Sequence, residues 1–215
     1  AGLYSYNGVL IGILISAVLP WSAMLPALII AAGGLSSIIT HQWRKRGGKL
    51  LVAYTAPFVL LGWVALLFAN PAPSVFVEAE LANAVARGLG QIFLLDQPLA
   101  GLLIIIGILI ANPYAAMWAV LGSAIGGGVA VLADQAQAAW FGLFGFNAAL
   151  AALAFSRQGE KPWLTMLAIA LALLLQSLFK LLPLPSLTAP FVMACWLMHI
   201  GTHFTCLNQR RMPTT

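Results

Sequence analysis

The feature that most constrains this chain is the length of its uncharged stretches. Residues 1–43 contain no Lys, Arg, Asp or Glu, and further such runs cover 50–77, 97–133, 135–156, 162–179 and 181–209. A helix needs ~20 consecutive apolar residues to cross the hydrocarbon core, so the pattern predicts several membrane crossings with little chain outside. Charged residues make up 7% of the sequence, against ~25% in soluble domains, and the mean hydropathy is +0.98. A water-soluble fold, a disordered chain and a nucleic-acid binder are excluded on this ground. The net charge of +5 is no nucleic-acid footprint, because four of the ten basic residues sit together in Arg44-Lys45-Arg46-Gly47-Gly48-Lys49. A short basic loop between apolar runs is an orientation signal.

Turn signals divide the runs. The pattern predicts apolar helices over 3–19 and 21–41, broken at Pro20, then the basic loop at 44–49 and a helix over 50–69. Residues 70–80 form a polar, Pro-rich connection. Residues 81–95 are amphipathic and short, a length that suits entry into the membrane without crossing. Helices follow over 98–111, 113–133, 139–155, 163–181 and 187–205, punctuated by Asn112-Pro113, Gly126-Gly127-Gly128 and Leu182-Pro183-Leu184-Pro185. With 44–49 placed in the cytoplasm, the crossings return the C-terminus and Arg210-Arg211 to that side, as the positive-inside rule favours.

An internal repeat organises the chain. GLYSYNGVL at 2–10 matches GLFGFNAAL at 142–150: Gly2, Leu3, Asn7 and Leu10 recur as Gly142, Leu143, Asn147 and Leu150. Thr55-Ala56-Pro57-Phe58-Val59 recurs as Thr188-Ala189-Pro190-Phe191-Val192, and each Thr is followed eight residues later by a Trp, Trp63 and Trp196. An odd number of crossings between equivalent points inverts one copy against the other, and inverted repeats build a solute path at the bilayer midplane. The fold class expected is an all-α polytopic membrane protein with inverted structural repeats and re-entrant pore helices. Residues 1–69 carry the later part of the first repeat and 70–80 the connecting loop. Residues 81–209 carry the second repeat, with a re-entrant helix near 81–96 and five membrane helices, and 210–215 form a cytoplasmic tail. By repeat arithmetic, about 80 residues ahead of Ala1 would complete the first copy.

The path's chemistry follows from what the runs contain. A cation filter usually brings acid rings and an anion pore brings Arg or Lys, and a proton-coupled pump needs a titrating membrane residue. Here the candidates are Thr55, Thr188, Asn7, Asn147, Ser186, Gln91 and backbone carbonyls freed around the prolines. That inventory points to passive movement of a small, neutral, hydrogen-bonding solute.

The blocks GLYSYNGVL, TAPFVLLGW, GQIFLLDQPLAGLL, GLFGFNAAL and LPLPSLTAPFVMACW closely resemble the urea transporter family over nearly the whole chain. The resemblance implies a homotrimer with a pore in each protomer, set in a lipid bilayer, and points to the cytoplasmic (inner) membrane of a bacterium. It implies urea as the solute, passing down its gradient through a slot between two oxygen rows. By the same resemblance, Thr55 and Thr188 form the pore centre. Gln91, Ile92 and Phe93 line the slot at the second re-entrant helix, and Leu10 and Leu150 form its other walls. The carbonyls of Pro185, Ser186 and Leu187 belong to the second oxygen row. Asn7, Asn147, Pro57, Pro190, Phe58 and Phe191 shape the pore.

Two other readings stay open: a channel for another small neutral solute (water, ammonia, short amides), and a non-conducting membrane scaffold. No enzyme activity, cofactor or metal is expected. His199 and His203 stand at i, i+4 but bring no third ligand, and Cys195 and Cys206 are too few for a metal cage. Gly34-Leu35-Ser36 lacks the closing Gly of a nucleophile elbow, and Gly126-Gly127-Gly128 is expected to serve close helix packing.

Overall fold

The computed structural model describes residues 2–48, 50–69, 80–156 and 161–211, with side chains to residue 203. Most of the 70–80 connection, Lys49, residues 157–160, the side chains of Cys206, Arg210 and Arg211, and 212–215 lie outside what is described. The described residues are helical and contain no strand: α1 (Gly2–Val18), α2 (Leu25–Arg46), α3 (Ala56–Leu66), α4 (Leu81–Gly90), α5 (Pro98–Ala111), α6 (Pro113–Leu132), α7 (Ala136–Trp140), α8 (Gly145–Phe155), α9 (Pro162–Phe179) and α10 (Ala189–Arg211).

Among them α2, α6 and α9 are long and apolar enough to cross a membrane. The chain is an all-α membrane protein. On α5, Leu99, Leu103 and Ile110 are largely exposed.

Three boundaries differ from the pattern-based expectation. The basic stretch read as a loop is helical through Arg46, because Arg44, Lys45 and Arg46 form the last turn of α2, where cations meet the negative end of the helix dipole. The helix expected over 50–69 begins only at Ala56. The helix expected over 139–155 is split: α7 ends at Trp140, Gly142 turns the chain at φ +73°, and α8 starts at Gly145. α3 and α8, at 11 residues each, are too short to cross alone.

The short segment after the 70–80 connection ends in a sharp bend. α4 runs into a 3-10 turn, Gln91–Phe93, and α5 then departs at 74°. Leu94 takes a left-handed conformation at the tip, and Arg87 pairs with Asp96 across the bend at 3.8 Å.

α8 is the most enclosed helix, held between α6 and α9. Small residues permit that approach, as in membrane helix pairs generally. A Cβ on Gly126 would fall 2.6 Å from the Phe144 carbonyl, and one on Gly122 2.8 Å from that of Ala148. Close packing at the triple glycine therefore rests on Gly126 alone, since Gly127 and Gly128 face open space. α1 packs on α2 and α3, α10 packs on α8 and α9, and α3 meets α10.

Candidate functional site

The two Thr-Ala-Pro-Phe blocks meet. Thr55 Oγ1 and Thr188 Oγ1 lie 2.7 Å apart, both almost wholly buried. Each Thr immediately precedes a helix, α3 or α10, and each helix carries its Pro at the second position. That position suits Pro, because a first-turn N–H has no partner within the helix.

The remaining first-turn donors are satisfied in the same way twice. Ala56 N donates to the Ala53 carbonyl and Val59 N to that of Thr55; Ala189 N donates to Ser186 and Val192 N to Thr188. Phe58 N donates to Asn7 Oδ1 at 3.1 Å, and Phe191 N to Asn147 Oδ1 at 3.3 Å. Each Asn also turns its amide to the carbonyl just ahead of the Thr: Asn7 Nδ2 to Tyr54 O at 2.8 Å, Asn147 Nδ2 to Leu187 O at 3.0 Å. Those two residues are left-handed, Tyr54 at φ 39° and Leu187 at φ 43°, a costly conformation for side chains other than Gly. The fully buried Asn7 and Asn147 thus act as remote caps on the first turns of α3 and α10.

Indole groups complete the correspondence. Trp63 Nε1 donates to Pro185 O at 2.9 Å, and Trp196 Nε1 donates to Val52 O at 2.8 Å. Val52 and Pro185 each stand three residues before their Thr, so each copy's Trp reaches the other copy's strand of free carbonyls. The exchange is reciprocal. The Pro185 carbonyl therefore already has one donor, with its second lone pair unused.

The other sequence-derived residues fall around this centre. Gln91 lies in the 3-10 turn with Nε2 3.4 Å from the Phe141 carbonyl. It lines a cavity of about 420 Å³ with Leu94, Gln176, Lys180, Pro185, Ser186 and Leu187. Ile92 and Phe93 line a second cavity, of about 530 Å³, with Tyr6 and Leu150. Neighbouring residues of the 91–94 tip thus face different cavities, and the tip partitions them. Tyr6 pins the tip: its hydroxyl donates to Ile92 O at 2.8 Å and its ring meets Phe93 edge-on at 5.2 Å. Leu10 is packed with Phe58 in one apolar cluster, and Leu150 with Phe191 and Ile92 in another. Neither Thr is in the wall of either cavity.

Three residues, Gln176, Tyr54 and Lys180, emerged only from the structure, and His199 bonds to Tyr54. Gln176, buried in α9, accepts from Asn147 Nδ2 at 2.6 Å and donates to Ser186 Oγ at 3.0 Å. Its signal was available, as an amide inside an otherwise apolar run. Tyr54 and His199 are joined by a 2.8 Å bond between the phenol and Nε2. Lys180, just past the end of α9, lays its ammonium over the Phe144 ring at 4.8 Å, and desolvation there holds it below the ordinary lysine range.

Chemically, the centre offers oxygen. The threonine pair spends one hydroxyl hydrogen internally and keeps one donor and unused lone pairs. Beside it stand two rows of carbonyls, Val52 to Tyr54 and Pro185 to Leu187, each oxygen holding one donor. A cation, Lys180, shares a cavity wall with Pro185, Ser186 and Leu187.

The site thus defines an all-α membrane protein in which two helix starts, each capped by a buried amide, meet at paired hydroxyls. The chain belongs to the urea transporter family, whose model, Urea transporter, matches residues 1–203. It is similar to proteins named Urea transporter 1. The rat protein is 29% identical over 182 residues, covering 79% of this chain and 46% of the relative. The mouse protein is 29% identical over 181 residues, covering 79% and 45%. The sheep protein is 29% identical over 127 residues, covering 54% and 33%. The chain thus spans less than half the length of these relatives.

Proposed function

We propose that the chain forms part of a passive channel for urea, with Thr55 and Thr188 at its narrowest point and the two carbonyl rows along it. The observation that carries this reading is the 2.7 Å contact of the two hydroxyls, joining sites 133 residues apart at the ends of two equally built broken helices. Urea is flat, with N–H groups along its edges and a carbonyl at one end. Acceptors in rows replace the hydrogen bonds it loses on leaving water, which are costly to leave unmade in an apolar setting. The two cavities serve as vestibules, and the tip carrying Gln91, Ile92 and Phe93 stands between them with Leu150 on one side.

In this proposal the copies are inverted in the bilayer. Residues 1–69 belong to the first, 81–209 to the second and 70–80 connect them. Asn7, Asn147, Pro57, Pro190, Phe58 and Phe191 shape the path. Leu10 stands behind Phe58, and the Pro185, Ser186 and Leu187 carbonyls form one oxygen row. The assembly is a homotrimer in the cytoplasmic membrane of a bacterium, with the C-terminus on the cytoplasmic side that the Arg44-Lys45-Arg46 cluster marks.

The test is urea uptake by liposomes holding the protein expressed from its full coding sequence, followed by stopped-flow light scattering. Rapid, saturable uptake supports the reading, and a rate equal to that of empty liposomes overturns it. Competition by thiourea and acetamide separates a urea channel from one for another small neutral solute.

A further inference from the structure

Each carbonyl row has two inner members and one outer member, held differently. Ala53 and Tyr54 are held by donors of their own copy, Ala56 N and Asn7 Nδ2; Ser186 and Leu187 are held by Ala189 N and Asn147 Nδ2. The outer members, Val52 and Pro185, are held only by the indole of the opposite copy. Together with the threonine contact, these bonds tie row to row at three points. An indole N–H donates and cannot accept, and its rigid bicyclic ring has only two torsions, so it acts as a strut of fixed length. Its surroundings offer no polar competitor: both rings wall an apolar cavity of about 180 Å³ with Val59, Leu60, Ala189 and Val192. Trp196 is backed by Trp43, stacked at 5.7 Å and 17°.

We propose that Trp63 and Trp196 are positioning residues that set the separation of the two carbonyl rows, and so decide which solutes the path admits. The proposal rests on the reading of those rows as the solute path. The struts do not touch solute. They act by holding Pro185 O and Val52 O, each three residues ahead of its threonine, so that a planar molecule meets acceptors at a fixed spacing.

The experiment compares wild type, Trp63→Phe, Trp196→Phe and the double variant, each from the full coding sequence, in liposomes. The panel is urea, thiourea, acetamide and methylurea. Phe keeps an aromatic ring and loses the N–H, a bond worth about fivefold. The urea-to-thiourea permeability ratio should fall by about that factor in each single variant. The double variant should fall by less than the product, because both struts fix one separation. Phe also removes ring volume, so the benzothienylalanine residue is placed at 63 as a second form, keeping the bicycle and losing only the N–H. A change in total rate with unchanged ratios among folded variants overturns the proposal, since a purely structural role would lower all solutes alike. A wild type that passes urea while the ratios stay fixed removes the struts alone. A wild type that passes no panel solute removes both the struts and the urea reading.

Discussion

The two copies cap the starts of α3 and α10 alike and differ in the packing beyond those caps. In the second copy Asn147 hands its other amide hydrogen to Gln176 on a neighbouring helix. In the first, Asn7 hands it to Leu3 of its own helix. Gly142 turns the chain and lies against α4, whereas its counterpart Gly2 sits in a helix facing open space. Where Phe146 is only apolar packing, Tyr6 bonds to the 91–94 tip. What the symmetry preserves, then, is the satisfaction of exposed backbone at the helix breaks, where an unmet polar group in hydrocarbon costs most. Packing around the breaks was free to diverge.

Breaking the comparison at the glycines should produce the largest effect. A Cβ at Gly142 would collide with the backbone of Gly88 and Arg87 in α4, and the residue's φ of +73° strains any side chain. Together these cost about 3 kcal/mol or more, so Gly142→Ala should fail to yield a monodisperse protein in detergent. Gly2→Ala, with nothing within 4 Å of the new methyl, should match wild type in thermal unfolding. Equal behaviour of the two variants on size-exclusion chromatography would show that the α4 contact is not needed.

The asparagines come next. Asn147→Leu orphans Phe191 N, Leu187 O and Gln176 Oε1, while Asn7→Leu orphans Phe58 N and Tyr54 O, the Leu3 carbonyl keeping its place within α1. At about 0.6–1.7 kcal/mol for each hydrogen bond within a membrane protein, both variants lose stability, and the second-copy variant loses more by about 1 kcal/mol. Adding Gln176→Leu to Asn147→Leu should recover that difference. Scanning fluorimetry reads all three, and a larger loss for Asn7→Leu would invert the comparison.

How much of this was legible beforehand depends on the kind of information. Helices and the membrane setting are written in uncharged runs, which any reading of composition finds. The meeting of Thr55 with Thr188 was legible because the blocks repeat with their Pro and Trp in register. The ends of α2 and the start of α3 were not, since hydropathy does not register which backbone groups a distant Asn or Trp will satisfy. Basic side chains can end a helix as readily as line a loop. Gln176 had a signal, one amide in α9, but its partner Ser186 lies beyond the Pro-rich break and could not be inferred. Tyr54 had none, because a left-handed Tyr is imposed by the bonds on either side of it.

The finest comparison is between the two hydroxyls themselves. Thr→Val keeps the branched shape and removes the oxygen. In the proposed channel, Thr55→Val and Thr188→Val should each slow urea uptake by about fivefold, the worth of one hydrogen bond, with a stability loss of about 1–3 kcal/mol for the buried hydroxyl left without its partner. If the pair sits on the two-fold relation, the two variants must be slowed equally. The double variant should then show coupling, because each single change also frees the partner hydroxyl from its 2.7 Å bond. Unequal slowing would mean that solute meets one hydroxyl while the other only orients it. Undiminished uptake in both folded variants would take the threonines out of the path and leave their contact as a hinge between copies.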